Sequence, residues 1–209
     1  MMKVYAESNF ILELAFLQEQ YPSCQNILAL CENGKAHLVI PSFCISEPYD
    51  VLVRKGKARD VLRQKLEIEL QQLSRNTTLP KKRIETLEEV IELLLQTGKE
   101  EKLRLHHTLK RILNVCELIP MVSEVLTLAA QVEELLELSL QDSIVYASVV
   151  HHLSTSDENL KCFLNRNSKD FNQPDIQTTL ENHHCKLLFH FEQGYDYIQN
   201  QVKLSKNHA

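Results

Sequence analysis

Apolar positions along the chain alternate between two patterns. Short runs at 3–6, 36–41 (AHLVIP), 116–120 (CELIP), 159–165 (NLKCFLN) and 185–189 (CKLLF) have the length of buried strands, and proline closes two of them. The segments between them repeat their apolar residues at helical spacing. Over 8–20, Phe10, Ile11, Leu14 and Leu17 share one side. A second helix starts at Pro22 and Ser23, carries Ile27, Leu28 and Leu30, and stops at Asn33-Gly34. Ser42 is placed to cap a further helix that carries Glu47. Helices are also expected over 123–138, 142–153 and 174–182. NSKDFNQPD reads as a loop, and 191–209 as a final helix with a polar tail.

Residues 54–115 break the alternation. Leucines and charges interleave at helical period through 58–73, and the polar stretch SRNTTLPKK follows at 74–82. Ile84, Leu87, Ile91, Leu94 and Leu95 then mark another amphipathic helix. Gly98 is expected to interrupt it, with helix again over 100–115. The whole reads as a helical insertion, or hairpin, in a domain spanning 1–190. Its leucines read as core and packing surface, and they offer a face for self-association as a homodimer.

Strands alternating with helices predict a three-layer α/β/α domain around a mainly parallel sheet of about five strands. Composition agrees: four glycines and no tryptophan in 209 residues argue against a loop-rich or disulfide-stapled fold. A net charge of −5 does not mark the whole surface as a nucleic-acid footprint, although local patches count for more than the sum. The cysteines at 24, 31, 44, 116, 162 and 185 show no CxxC spacing. With no signal peptide, they read as reduced thiols of a cytoplasmic protein. No apolar run approaches the roughly 20 residues of a membrane span.

In open parallel sheets, ligands sit beyond the carboxyl ends of the strands. Glu7 follows the first strand, and Glu47 follows the second by a turn or two of helix. Asp142 begins the helix that precedes the fourth strand, and Asn165, Asn167 and Asp170 follow that strand. Carboxylates gathered at one edge repel unless a cation neutralises them, and their oxygens select hard ions such as Mg2+ or Mn2+. A site of this kind lowers the pKa of a bound water and clamps a phosphate, so the expected reaction class is metal-assisted phosphodiester hydrolysis. Each acid also has a plain structural reading. Glu7 stabilises a helix N-terminus, Ser139-x-x-Asp142 has the form of a capping box, Glu47 is a solvated helix acid, and Asp170 is a turn residue.

The order of these pieces resembles the PIN-domain family of nucleases, which includes VapC-type toxins. The family's first motif, a strand followed by an acid, a small polar residue and Asn, is matched by VYAESNF. Its second acid, on a helix after the second strand, is matched by Glu47 in VIPSFCISEPYDVL. Its third, opening a helix, is matched by Asp142 in QDSIVYASVV. Its last motif, Thr-Arg-Asp/Asn-x-x-Asp-Phe, is matched by NRNSKDF at 165–171. The match runs over 1–53 and about 116–190. The resemblance implies an α/β/α ribonuclease that uses Mg2+ or Mn2+ and, in toxin systems, an antitoxin protein as partner. It makes Glu7, Glu47 and Asp142 the acid ligands, with Asn167 or Asp170 in the fourth position. Asn9 would hold the acid loop. Two positions depart from the family: Glu7 replaces Asp, and Asn165 replaces Thr. They favour the alternative, a PIN-fold module that binds RNA or protein with little or no catalysis.

Arg54, Lys55, Lys57, Arg59, Arg63 and Lys65 form a basic run shortly after Glu47. It can hold RNA phosphates beside the cleft, or it is a solvated helix face. Lys81-Lys82-Arg83 is a lesser patch. His pairs at 106–107, 151–152 and 183–184 are poor chelates, because neighbouring residues on a helix or strand point apart. No GxxxxGK[ST] or GxSxG element is present.

Overall fold

The computed structural model describes residues 1–75, 81–156 and 160–207; the middle of SRNTTLPKK and Asn159 of the fourth apolar run lie outside the described residues. The five short runs are strands: β1 (Lys3–Ala6), β2 (His37–Pro41), β3 (Cys116–Ile119), β4 (Lys161–Leu164) and β5 (Cys185–Leu188). All pair in parallel, in the order β3-β2-β1-β4-β5. The chain begins in the middle of the sheet, winds out to the β3 edge, then returns to add β4 and β5 on the other side. The strand order therefore reverses between β1 and β4, and such a reversal opens a crevice at the carboxyl ends of the two strands.

Parallel strands covered on both faces read as continuous apolar runs, and β1 and β4 are buried almost throughout. Tyr5 and Phe163 are register partners, so their side chains share a face. On that face the Tyr5 hydroxyl meets His152 of α6 (Leu140–Ser154) at 2.9 Å, and Phe163 packs edge-on against Phe171 of α7 (Ser168–Phe171). Leu164, one residue on, points the other way, toward α9 (Phe191–Asn207). A Cβ on Gly194 of α9 would lie 2.6 Å from Leu164 Cδ2, so only glycine permits this close approach without a shift. The remaining helices are α1 (Ser8–Phe16), α2 (Tyr21–Glu32), α3 (Glu47–Leu73), α4 (Lys81–Leu113), α5 (Ser123–Leu136) and α8 (Pro174–Asn182). The result is the α/β/α layering expected from the alternation. All six cysteines are free, and among the described residues no helix is long and apolar enough to cross a membrane.

Four local expectations need correction. The first helix ends at Phe16 rather than 20, because Leu17 takes a left-handed conformation (φ 50°) and its N–H closes on Glu13. Ser42 does not cap the helix bearing Glu47: it opens a 3-10 turn (Ser42–Ile45), and α3 starts five residues after it. Gly98 does not interrupt α4, which runs unbroken past it. A Cβ there would meet only Arg59 Nη1, at 3.6 Å, an ordinary contact. NSKDF is not all loop, since Ser168–Phe171 form one helical turn capped by the Asn167 side chain.

The stretch over 54–115 is thus a hairpin of two long helices. Its base belongs to the core: Leu105, Leu109 and Ile112 of α4 are buried, with α4 packed on α1. Between the helices, Glu101 is 5% exposed and receives both Arg59 nitrogens at 2.6 and 2.8 Å and Lys55 at 3.1 Å. Burial alone would raise its pKa, but these two cations hold the carboxyl below its ordinary value.

At the opposite end of the sheet from the crevice, Glu117 of β3 collects three bases. His37 lies at 3.0 Å, His152 at 3.2 Å and Lys3 at 3.3 Å. Burial would raise the Glu117 pKa, but hydrogen bonds from His152 and His37, with the charge of Lys3, outweigh it and lower it. A carboxyl whose folded pKa is depressed contributes stability above its ordinary value, and that contribution is lost as pH falls through the folded value. Glu117→Gln should therefore lower the Tm at neutral pH, and the gap from the native chain should shrink as pH drops below 4.5. Thermal melts across that range check this, and a pH-independent gap would refute it.

Candidate active site at the switch point of the sheet

Glu7 leaves β1 and caps α1. Its Oε2 accepts the Asn9 N–H at 2.7 Å and lies 3.1 Å from the Ser8 hydroxyl. Its Oε1 accepts the Arg166 N–H at 3.3 Å, from the chain leaving β4. The side chain thus spans the reversal point between β1 and β4. The residue is 5% exposed, and burial pushes the carboxyl up to about 7 despite these hydrogen bonds.

Glu47 is the first residue of α3, and its Oε2 contacts the same Ser8 hydroxyl. One hydroxyl carries one proton, so it can donate to only one of the two carboxylates. The other oxygen pair faces each other without a hydrogen unless a proton or a cation sits there.

Asp142 enters from α6. Its backbone N–H donates to Ser139 Oγ at 3.2 Å, and that hydroxyl donates back to its carboxylate at 2.7 Å, a local variant of the capping box. The Asn167 amide donates to Asp170 at 2.8 Å and reaches Asp142 at 3.3 Å. Asn165 is buried, and its side chain accepts the Asn167 N–H at 2.8 Å, fixing the turn after β4.

These residues line one cavity of about 680 Å³. Glu7, Asn9, Glu47, Asp142, Asn165 and Asn167 all face it, as do Arg54 and Arg166. Asp170 does not line it and stands behind Asn167. The plain readings of Glu7 and Asp142 as caps hold too, because a helix N-terminus aims its first carboxylates at the same crevice its N–H groups face.

The basic run divides by its partners. Arg54 lines the cavity and has no ion-pair partner among the described residues. Lys55 and Arg59 are committed to Glu101 and Arg63 to Glu67, while Lys57 and Lys65 are exposed on α3. The side chains of Lys81-Lys82-Arg83 lie outside the described residues.

Sequence reasoning passed over Ser8 as the bridge, and also Asp50, Gln141 and Arg166 in the lining. Asp50, three residues after Glu47, was recoverable from helical spacing. Arg166 was not, because its anchor is distant in sequence. Its guanidinium contacts Glu13 of α1, which is fully buried and also accepts the Gln20 N–H at 2.7 Å.

A parallel, doubly wound sheet with an acidic crevice at its switch point defines the class. Within it, a PIN-domain family model matches residues 4–171, and the chain belongs to the PIN-domain family. No curated protein matches it. Among solved structures, the chain is similar to one in the crystal structure of VapBC2 from Rickettsia felis bound to a DNA fragment from their promoter. Identity is 13% and TM-score 0.43, over 90% of this chain and 98% of that one.

Arg166→Met should leave Glu13 buried with no cation and only the Gln20 N–H as partner, destabilising the fold by about 3 kcal/mol. The double variant Glu13→Met/Arg166→Met should recover most of that loss. Urea unfolding of the three proteins checks this, and equal stability of the single and double variants would refute it.

Proposed function

We propose that the chain is a metal-dependent ribonuclease of the PIN type, acting at the switch-point cavity. The observation that carries this reading is the shared Ser8 hydroxyl, with two carboxylates and one proton between them. A buried carboxyl raised to about 7 is one that a nearby cation would return to its ordinary range.

Glu7 and Glu47, which share the Ser8 hydroxyl, would offer hard oxygens to Mg2+ or Mn2+; Asp142 and Asn167 line the same cavity, and Asp170 accepts the Asn167 amide. Among the described residues no group of three or more His, Cys, Asp or Glu side chains could hold a metal ion. Mg2+ does not require one, since it keeps several waters and uses one or two carboxylates. Bound there, the ion would supply a nucleophilic water at neutral pH and neutralise phosphate charge.

The chain's own residues do the rest. Asn9 and Arg166 fix Glu7 through their backbone N–H groups. Asn165 holds the turn that presents Asn167. Arg54, at the cavity wall, attracts the RNA phosphate, and Lys57 and Lys65 extend that attraction along α3. An antitoxin partner and a cytoplasmic location accord with the VapC-type branch of the family.

Purified protein should cut single-stranded RNA with Mn2+ and stop with EDTA. Glu47→Ala and Asp142→Ala should each lose at least about 100-fold in rate. Cleavage indifferent to EDTA or to both substitutions would overturn the proposal. Folded protein that binds RNA in Mn2+ without cutting it would leave the binding module standing instead. Arg54→Ala should raise KM several-fold with kcat little changed, the mark of an interaction made equally in ground and transition states. A loss confined to kcat would remove Arg54 from phosphate binding.

A further inference from the structure

The first turn of α3 has a second flank that the cavity does not use. Glu47 and Asp50 line the cavity, whereas Tyr49 enters a separate hollow of about 500 Å³. The other walls of that hollow are His106, Leu109, Lys110, Leu113 and Asn114 of α4. Tyr49 is 41% exposed. Its ring lies 6.1 Å from that of His106, with the two planes at 48°. Rings tilted in this way do not stack on each other, so a face is left for a third flat group.

The hollow sits on a basic stripe. Lys99, Lys102, His106 and Lys110 recur along α4 at intervals of three and four residues, and each is exposed. None of these lysines has an ion-pair partner among the described residues. The acids of this stretch are engaged elsewhere. Glu100 pairs with Arg104 at 3.5 Å, and buried Glu101 is held by Lys55 and Arg59. On a chain of net charge −5, unanswered amines beside open aromatic rings are a local exception. They suit a polyanion that carries flat groups, which is single-stranded nucleic acid.

We propose that Tyr49 and His106 form a stacking site for an unpaired RNA base, with Lys110 on the adjoining phosphate and Lys102 and Lys99 further along the strand. The choice of RNA rests on the reading of the cavity as an RNA site. Cavity and hollow flank the same helical turn, and a helix is about 10–12 Å across with its side chains. A strand with a phosphate in the cavity therefore reaches the hollow within a few nucleotides. A paired base stays inside its duplex, whereas an unpaired one can be splayed onto a ring. The site thus selects single-stranded segments.

Fluorescence anisotropy of a labelled single-stranded RNA on the full chain tests this, with EDTA present so that binding is read without cleavage. Tyr49→Ala should weaken binding at least about five-fold, the loss of one stacked base. Tyr49→Phe should bind as the native chain does, because it keeps the ring face. Lys110→Glu should weaken binding and flatten its dependence on salt. Heparin, a polyanion without bases, should respond to Lys110→Glu and not to Tyr49→Ala. Ultraviolet irradiation of bound RNA carrying iodouridine should link it to the peptide containing Tyr49 or to the one containing His106. Equal RNA binding by the native and Tyr49→Ala chains would overturn the proposal. So would an equal loss for RNA and heparin, which would leave an acidic protein segment as the occupant. Cleavage is a separate readout. A chain that passes these tests but never cuts RNA loses the ribonuclease reading and keeps the stacking site. One that cuts in Mn2+ yet binds RNA equally well without the Tyr49 ring loses the stacking site alone.

Discussion

The carboxylate of Glu7 is the contact on which the arrangement at the switch point depends. One oxygen takes the Asn9 N–H that starts α1, and the other takes the Arg166 N–H that follows β4. The two halves of the sheet, already paired through β1 and β4, are linked again beyond the strand ends by this side chain. Joining them requires burial, and burial penalises the charge. The hydrogen bonds offset only part of that penalty, so the carboxyl sits near 7. A group held in that state responds strongly to any positive charge brought into the cavity. The tension that shapes the local fold is the same one that suits the site to a cation.

A second buried acid serves the same region. Glu13, one face of α1 away from the cavity, takes the Arg166 guanidinium while the Arg166 backbone faces Glu7. The turn after β4 is therefore clamped from both its side chain and its main chain. Glu101 repeats the principle between the hairpin helices, where Lys55 and Arg59 neutralise it. Each buried carboxylate here is matched by a cation or by backbone N–H groups, and the cavity is where that matching is least complete.

The pattern of short apolar runs was enough to place five strands within a residue or two: β1, β2 and β4 are buried on both faces over almost their whole length, and the edge strands β3 and β5 each admit one charged residue, Glu117 and Lys186. It missed where helices end and join. Leu17 stops α1 through a left-handed backbone that no residue type announces, and Gly98 stays helical because one glycine costs a long helix only about 1 kcal/mol. The acids after β1 and β2 and at the start of α6 were legible by position, since strand ends in a parallel sheet converge. Ser8 between two carboxylates was not. Its role is defined by a distance between elements far apart in sequence, to which no periodicity refers.

Local chemistry in the chain determined that this would be an α/β protein with carboxylates at strand ends, because burial and helical spacing act over a few residues. The partners of each charge were decided only by tertiary structure. Lys55, Arg59 and Arg63 read alike with Arg54 and Lys57 along the sequence, yet among the described residues three are committed to acids and two are not. Coulomb attraction depends on separation in space, and separation in space is what folding sets.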